Sequence, residues 1–257
     1  MTPSITNHEF LSQSPHTCKL DWGLPGTKRA VARKDIIILV DTLSFSTTVT
    51  YAVSKGACIY PCATTERARI LAVAVDCEIA VGRKDVPSRG RYSLSPSTYD
   101  NIAPGANIIL PSPNGSTCSR ACTDIPYTFL GALVNAGAVA GLVTRLLADG
   151  SHGVTIIACG EREKEPNPGG DLRPAIEDYL GAGAIISSLD CLKSPEARVC
   201  ETAFTSSLPN LSDLIWDCAS GRELRELGFP DDITFASRLN ALDTVPILKE
   251  SHFTNQR

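Results

Sequence analysis

The sequence predicts an α/β protein, a three-layer α/β/α sandwich built around a largely parallel or mixed sheet. Short apolar segments rich in β-branched residues alternate with longer, helix-like segments along most of the 257 residues, the pattern of strands connected through helices. The segment 36–40 (IIILV) is apolar at every position, as expected for a strand covered by helices on both faces. Since no composition shift or internal repeat divides the chain, we expect one domain over residues 1–257.

The predicted elements follow one another in regular order. Strands are expected in the short apolar runs between turn residues, at 17–22, 35–40, 57–61, 78–81, 107–110, 127–130 and 154–158. Helices are expected between or after these strands, at 24–33, 45–55, 65–75, 115–121, 134–148 and 172–189. These units form a core at 17–190, and the remaining part, 191–257, is predicted to be mostly helical, with a last edge strand at 244–247.

Composition narrows the classes of function. Hydrophobic residues at 43% and charged residues at 20% are typical of a globular protein. A net charge of −4 argues against general binding to nucleic acid or to anionic membranes, and no apolar run approaches the length of a membrane span. The ten cysteines form no C-x-x-C pair, which favours buried thiols in a reducing compartment. We therefore expect a soluble cytoplasmic protein.

The first candidate site segment follows the buried strand 36–40. Asp41 ends this strand, and Ser44, Ser46 and Thr47 follow as the chain turns into a helix. Hydroxyls and unpaired backbone N–H groups would therefore gather near one carboxylate, an arrangement that favours an anion such as phosphate. The alternative is an ordinary buried strand whose Asp caps a turn and whose Ser caps a helix.

A second segment repeats this pattern. The strand 107–110 runs into a turn that contains Asn114, Gly115 and Ser116. Asn114 can donate an amide hydrogen, Gly115 permits close approach of the backbone, and Ser116 brings a hydroxyl to a helix start. An ordinary strand–turn–helix connection would look the same, but two such turns in one sheet favour a binding site.

A third group of candidates is acidic. Glu161 follows the strand 154–158, while Glu177 and Asp178 are neighbours on a predicted helix. Adjacent helical side chains diverge by about 100 degrees, so these two cannot both point directly at one site. Carboxylates from several segments suit Mg²⁺, which prefers oxygen ligands. A solvent-exposed Glu-Asp pair is the alternative.

The loop 82–99 is long and locally basic in an acidic protein. Arg83, Lys84, Arg89 and Arg91 lie within it, and long loops in compact domains are frequently functional. Guanidinium groups would bind a highly anionic small substrate. A solvated surface loop is the alternative for each of these cations.

Taken in order, eight segments resemble the 2-phosphosulfolactate phosphatase family. They are VDTLSFSTTV, SLSP, LPSPNGS, GALVNAGAVA, CGE, IEDYLGAGA, DDI and the closing VP, and they span about residues 22–246. The resemblance implies an α/β/α fold and Mg²⁺-dependent hydrolysis of the phosphate ester of sulfolactate, a step toward coenzyme M. It also implies site roles for Asp41, Ser46, Thr47, Asn114, Gly115, Glu161, Glu177 and Asp178.

The chain differs from the family pattern at two positions. Ser44 occupies a position where many members have an arginine, and Leu94 replaces the asparagine of a family GNSP segment. Loss of a bidentate phosphate ligand would weaken binding unless another arginine replaces it. Candidates for this replacement are Arg83, Arg89, Arg91 and Arg162.

These features together predict a phosphatase mechanism. Asp41 and one or both of Glu177 and Asp178 would hold Mg²⁺, and Glu161 would position the attacking water. The remaining phosphoryl oxygens would be held by Ser46, Thr47, Asn114, Gly115 and Ser116.

Two alternatives stay open, and one further expectation concerns assembly. Asp41 could itself be the nucleophile, as in haloacid-dehalogenase-type phosphatases, although the second Asp of those enzymes is here Leu43. A protein that binds a phosphorylated ligand without turnover is the non-enzyme alternative. The small residues within 132–148 would allow close packing against a second copy in a homo-oligomer.

Overall fold

The computed structural model describes residues 10–74, 76–163 and 171–256. A nine-stranded mixed sheet has helices on both faces, so the predicted three-layer α/β/α fold is confirmed. The strands of this sheet are β1 (Cys18–Trp22), β2 (Ile36–Val40), β3 (Cys58–Cys62), β4 (Glu78–Ile79), β5 (Asn107–Pro111), β6 (Thr128–Gly131), β7 (Val154–Ala158), β10 (Pro246–Lys249) and β11 (His252–Asn255). Two further short strands, β8 (Glu161–Arg162) and β9 (Leu172–Arg173), pair with each other outside it.

The helices alternate with the strands up to β7 and then dominate the chain. The first six are α1 (Gly23–Arg33), α2 (Phe45–Ser54), α3 (Thr65–Ala74), α4 (Gly115–Arg120), α5 (Ala136–Leu147) and α6 (Ile176–Ile186). The last four are α7 (Pro195–Ser207), α8 (Leu211–Asp217), α9 (Ala219–Glu226) and α10 (Pro230–Ala236). None of the helices in the described ranges is long and apolar enough to cross a membrane.

The sheet consists of two parallel groups joined by a hairpin. Its strand order is β1, β7, β2, β6, β10, β11, β3, β5, β4. The first four strands are parallel to one another, and so are the last three. Between them β6 pairs antiparallel with β10, β10 with β11, and β11 with β3. Three successive reversals mean that the two parallel groups run in opposite directions.

The C-terminal strand prediction was wrong in position. We expected 244–247 at an edge of the sheet, but β10 lies in the middle, and β11 was not predicted. The two strands are joined at Glu250 and Ser251, whose φ angles are 47° and 77°. Two-residue hairpin turns of this kind usually contain Gly or Asn, so Glu250 and Ser251 do not indicate a hairpin.

The helix predicted at 172–189 also begins later than expected. Leu172 and Arg173 pair with Arg162 and Glu161 as a short antiparallel ladder, and α6 starts only at Ile176. The side chain of Leu172 is partly exposed at 38%. This short ladder carries two arginines toward the ends of the sheet strands.

Each face of the sheet has its own hydrophobic core. On one face Ile36, Ile38 and Val40 pack with residues of α5, α6 and α7. On the other face Ile37 and Leu39 pack with residues of α1, α2 and α4. All five residues of β2 are fully buried, because alternate side chains point into opposite cores. The residue that follows β2 is therefore fixed in position by both layers.

Candidate active site

Asp41 follows β2 and is held by two helix starts. Its Oδ1 accepts a hydrogen bond from the Phe45 N–H of α2 at 3.1 Å, and its Oδ2 accepts one from the Gly115 N–H of α4 at 2.9 Å. The carboxylate is buried, with 6% of the residue exposed. Two backbone donors thus fix the orientation of both carboxylate oxygens.

Gly115 is required at the connection between β5 and α4. A Cβ at this position would lie 2.3 Å from Cδ1 of Phe45 and 2.8 Å from Oδ2 of Asp41, distances that no side chain tolerates. The backbone N–H of Gly115, after β5, therefore contacts the carboxylate of Asp41, after β2, directly. These strands run in opposite directions and lie five strands apart in the sheet, and the contact is made by Gly115 at the start of α4, four residues past the end of β5.

Asp178 is a second buried carboxylate that is fixed by backbone N–H groups, as Asp41 is. Its Oδ1 accepts from the Thr42 N–H at 2.7 Å, and its Oδ2 accepts from the Gly160 N–H at 2.8 Å. The side chain thereby connects α6 to the ends of β2 and β7. Its neighbour Glu177 is also buried and is in hydrogen-bond contact with the thiol of Cys218. The two adjacent carboxylates have different partners, as the helical geometry predicted.

Glu161 is the first residue of β8, shortly after the end of β7, and Asn114 between β5 and α4 orients its carboxylate. Its Oε2 accepts a hydrogen bond from Nδ2 of Asn114 at 2.9 Å and a longer one from the Arg162 N–H at 3.3 Å. Burial raises the pKa of Glu161 to about 7, and the charge of Asp41 adds to this rise. Glu161 is therefore a carboxyl that can both accept and release a proton near neutral pH.

The other carboxyls also repel one another. Burial raises the pKa of Asp41 to about 6, and the nearby charge of Glu177 acts in the same direction against the hydrogen bonds from Phe45 and Gly115. Burial raises the pKa of Asp178 well above its usual range, with further contributions from Asp41 and Glu177. Like charges collected in a buried place favour the binding of a proton or a cation.

A cavity of about 190 Å³ opens over this cluster. Three groups of residues that line it could act on a ligand. The first group contains Asp41, Asn114 and Glu161, and the second contains the cations Arg83, Arg162 and Arg173. The third is the face of α9 and the residue after it, with Ser220, Glu223, Leu224 and Leu227. Acidic groups and cations thus face the same space, an arrangement suited to a phosphorylated ligand.

Arg83 contributes its guanidinium beside Ser44. Its Nη2 donates to Oγ of Ser44 and, at 3.0 Å, to the carbonyl oxygen of Leu94. Its Nε donates to Oδ2 of Asp232 at 2.8 Å, and Asp232 accepts a second hydrogen bond from Oγ of Ser95 at 2.7 Å. The arginine side chain is only 16% exposed, so its position is fixed by these partners.

The chain matches the family model described as 2-phosphosulpholactate phosphatase over residues 25–251. The chain belongs to this family. A probable 2-phosphosulfolactate phosphatase of Carboxydothermus hydrogenoformans is 29% identical over 233 residues, which cover 88% of this chain and 90% of that protein. One of Pseudothermotoga lettingae is 28% identical, covering 88% and 95%. The 2-phosphosulfolactate phosphatase of Methanocaldococcus jannaschii is 27% identical, covering 84% and 90%.

The predicted site residues form two sets, those that lie at or directly behind the cavity and those that do not. The structure brings Asp41, Ser44, Arg83, Asn114 and Glu161 together at the cavity. Gly115, Glu177 and Asp178 lie directly behind it, through their contacts with Asp41, Cys218 and the ends of β2 and β7. This set comes from five separate parts of the chain, which agrees with a site built from strand ends.

The second set is not brought to the cavity. The hydroxyls of Ser46, Thr47 and Ser116 are fully buried and donate to main-chain carbonyl oxygens at 3.1, 2.9 and 3.2 Å. Arg89 and Arg91 are 76% and 74% exposed and pair with Asp85 and Glu78. Substrate contacts by these five residues stay predictions, and their present partners do not support them.

Some polar residues of the site were not singled out from the sequence, among them Asp232 and Ser220. Asp232 anchors Arg83 from α10, and Ser220 lines the cavity from α9. Asp232 lies within the segment DDI that carries the family resemblance, and this was an available signal. The spacing of Ser220, Glu223, Leu224 and Leu227 is that of one helix face, which a search of the C-terminal helices could have found.

The carboxylate oxygens of the site are ligands of the kind that a hard cation prefers. In the ranges that the structure describes, no group of three or more His, Cys, Asp or Glu side chains is close enough to hold a metal ion. Mg²⁺ does not need such a group, since it is commonly bound by one or two carboxylates with water and substrate phosphate. Asp41 and Glu161 both line the cavity, and their raised pKa values mark a place where positive charge is favourable.

Proposed function

We propose that this protein is a Mg²⁺-dependent phosphatase that hydrolyses the phosphate ester of a small anionic hydroxy acid, 2-phosphosulfolactate or a close analogue. The observation that carries the proposal is the pairing of Asp41, fixed by two backbone donors, with Glu161 in one cavity. Membership of the family and the names of the relatives support the same reaction class, a phosphoric monoester hydrolase.

The residues of this chain divide the chemistry between them. Water attacks phosphorus, the bond from phosphorus to the ester oxygen breaks, and the leaving alkoxide takes up a proton. Glu161, with its pKa near 7, can remove a proton from the water, and Asn114 and the Arg162 N–H hold its carboxylate in one orientation. Arg83, already fixed by Asp232, offers its guanidinium to an anionic group of the substrate.

Asp41 would hold Mg²⁺ together with water and substrate oxygens, with Glu177 and Asp178 contributing negative charge from behind the cavity. When bound, the ion would neutralise charge that builds up on the phosphoryl oxygens. Direct ligation by Glu177 or Asp178 is not favoured, because neither residue lines the cavity.

A covalent mechanism through Asp41 is the second candidate. Both oxygens of Asp41 are engaged by backbone N–H groups, which lowers the nucleophilicity of the carboxylate. Leu43 stands where haloacid-dehalogenase-type enzymes have their second Asp. We therefore place the water mechanism first. Rapid acid quench with radiolabelled substrate separates the two, since only the covalent route leaves labelled phosphate bound to the carboxylate of Asp41.

The test of the proposed function is a panel of phosphorylated hydroxy acids. The full-length protein is incubated with each compound, with and without Mg²⁺, and release of inorganic phosphate is measured. We expect turnover of 2-phosphosulfolactate or of a related phosphorylated 2-hydroxy acid only when Mg²⁺ is present. Tight binding of these compounds with no phosphate release in any condition would favour the binding-protein alternative.

A further inference from the structure

A second cavity, of about 550 Å³, borders the active-site cavity, and we call it the side cavity. Arg83 and Leu94 line both cavities. The connection that follows β5 runs along both as well, because residues 110–111 line the side cavity and residues 112–114 line the active-site cavity. The two cavities are therefore neighbours along one segment of the backbone.

The volumes of the two cavities favour a ligand that uses both. The active-site cavity has about 190 Å³, which is below the range of ~300–1,000 Å³ that is common for small-molecule sites. The side cavity lies within that range. A ligand whose phosphate group lies beside Asp41 thus has room for its remaining part beyond Arg83 and Leu94.

The lining of the side cavity suits a carbon chain that carries an acid group. Its apolar wall comes from the strand ends and from the loop 82–99, with Ile79, Ala80, Val81, Leu94, Leu110 and Pro111. The charged side chains that line it are three cations and one carboxylate, namely Arg69, Arg83, Arg89 and Asp85. Positive charge is in excess, and guanidinium groups bind carboxylates and sulfonates through paired hydrogen bonds.

Arg69 is the cation of this lining that is available to a ligand. Arg83 is paired with Asp232, and Arg89 is paired with Asp85. Arg69 is exposed, and among the described residues it forms neither an ion pair nor a hydrogen bond. A ligand can therefore reach its guanidinium without breaking an existing contact.

Helix α3 directs Arg69 to the side cavity. Thr65 and Arg69, four residues apart, both line the cavity, as expected for side chains on one helix face. Arg67 is two residues from Arg69 on the same helix, is also exposed, and lines neither cavity. The chain thus contains a matched arginine on the opposite face of α3.

We propose that the side cavity binds the end of the substrate that is remote from the phosphate, and that Arg69 binds a second acid group there, a carboxylate or a sulfonate. The proposal rests on the proposed function and narrows the substrate class to phosphate esters of hydroxy acids with two acid groups. The phosphoryl group lies beside Asp41, and Arg83 lies where the two cavities meet. Arg69 determines specificity and takes no part in the bond cleavage.

Three phosphate esters and four variants of the full-length protein test this role. The ester of lactate has one acid group, whereas the esters of sulfolactate and of 2-hydroxyglutarate each have a second one, on carbon chains of different length. Arg69→Ala removes the charge and Arg69→Glu reverses it. Arg67→Ala and Arg67→Glu are the matched controls, because they make the same charge changes on the same helix outside the cavities. The measurements are kcat, KM and Tm.

For Arg69→Ala we expect KM to rise about fivefold for at least one of the two-acid esters, as for the loss of a solvent-exposed ion pair. The kcat should change little, because this contact is the same in the ground state and in the transition state. Arg69→Glu should raise KM further. The KM of the lactate ester should not respond to Arg69→Ala, and the Arg67→Ala variant should match the wild type on all three esters.

Several results would overturn the proposal. They are a change in KM of less than about twofold for both two-acid esters in Arg69→Ala, an equal rise for the lactate ester, and equal effects of the Arg67 and Arg69 variants. A lowered Tm in Arg69→Ala would assign the residue to the fold and would also overturn it.

If no ester is turned over, the proposed function fails, and the inference is judged on binding alone. Calorimetric titration of the wild type and of Arg69→Ala with sulfolactate and with 2-hydroxyglutarate then decides. Weaker binding of either acid to the variant supports the role of Arg69. Equal binding to both proteins, or no binding to the wild type, overturns it.

Discussion

The strand ends around Asp41 and the basic loop 82–91 contribute opposite charges to the same cavity by different means. At the strand ends the carboxylates are buried, and backbone N–H groups fix the oxygens of Asp41 and Asp178. In the loop only Arg83 is fixed and turned inward, whereas Arg89 and Arg91 remain more than 70% exposed. The strand ends thus position the negative charge, whereas the one inward cation of the loop, Arg83, is positioned by its long-range ion pair with Asp232.

The largest expected effect concerns the carboxylate region. Exhaustive chelation with EDTA should abolish phosphatase activity, and Mg²⁺ should restore it, because oxygen donors select a hard cation. Zn²⁺ should be a poor substitute, since no His or Cys among the described residues lines the cavity. Phosphate release is the readout. Unchanged activity in a sample shown to be metal-free would contradict the proposed dependence on Mg²⁺.

The next effect is that of Asp41→Asn. We expect kcat/KM to fall at least ~1000-fold, because an amide cannot replace the carboxylate toward a cation or a phosphoryl group. The fold should be retained, as the circular dichroism spectrum would show. Asp100→Asn is the matched control, since Asp100 is an exposed carboxylate that accepts a hydrogen bond from the Tyr51 hydroxyl and does not line the cavity; its activity should stay at the wild-type level. Near wild-type kcat in Asp41→Asn would contradict the proposed role.

The basic loop gives a smaller and more selective effect. Arg83→Ala should lower kcat/KM about thirtyfold, equivalent to ~2 kcal/mol, because a substrate charge is left without its partner. Arg89→Ala and Arg91→Ala should stay within about threefold of the wild type, since both side chains are solvated.

Stability needs its own control in the arginine series. Arg83→Ala leaves Asp232 buried without its cation, which lowers Tm. The double variant Arg83→Ala, Asp232→Asn should recover stability without recovering activity. Recovery of both would mean that Arg83 supports the fold and does not bind substrate. Equal losses in all three arginine variants would show that the whole loop closes on the substrate.

The smallest effect concerns pH and stability. Glu161 has a pKa raised from 4.5 to about 7 in the folded protein, so between these values the native state holds a proton that the unfolded state has released. The free energy of unfolding should therefore decrease as pH rises from about 4.5 to about 7. Glu161→Gln should remove on the order of 1 kcal/mol of this decrease. Denaturant unfolding of both proteins at several pH values measures the difference, and identical pH dependence would contradict the raised pKa.

Local sequence patterns predicted those parts of the molecule that local interactions determine. The five apolar residues of β2 indicated burial on both faces, and Asp41 followed as the residue at the strand end. The position of β10 between β6 and β11 depends on pairings with residues more than a hundred positions away, so no local pattern could reveal it. The late start of α6 depends on a shorter-range pairing, that of Leu172 with Arg162, which no strand-like pattern in these residues indicated.

The sequence also could not show which of the candidate side chains are free to contact a ligand. Ser46, Thr47 and Ser116 looked like phosphate ligands, but backbone carbonyls already accept their hydroxyls. Arg83, Arg89 and Arg91 have the same chemistry, and only the contact of Arg83 with Asp232 from α10 distinguishes it. Residue type and spacing predict what a side chain can bind, whereas its choice of partner is decided by tertiary packing.

The central hairpin of β10 and β11 has a consequence for the order of synthesis. Until Pro246–Lys249 pairs with β6 and His252–Asn255 pairs with β3, no strand connects the group that carries Asp41 to the group that carries Gly115. A chain that lacks these residues would still contain Asp41, Asn114 and Glu161, but the hairpin that joins the two parallel groups of the sheet would be missing. Completion of the active site therefore depends on the last two strands described, and a chain cut short before Pro246 should be catalytically silent.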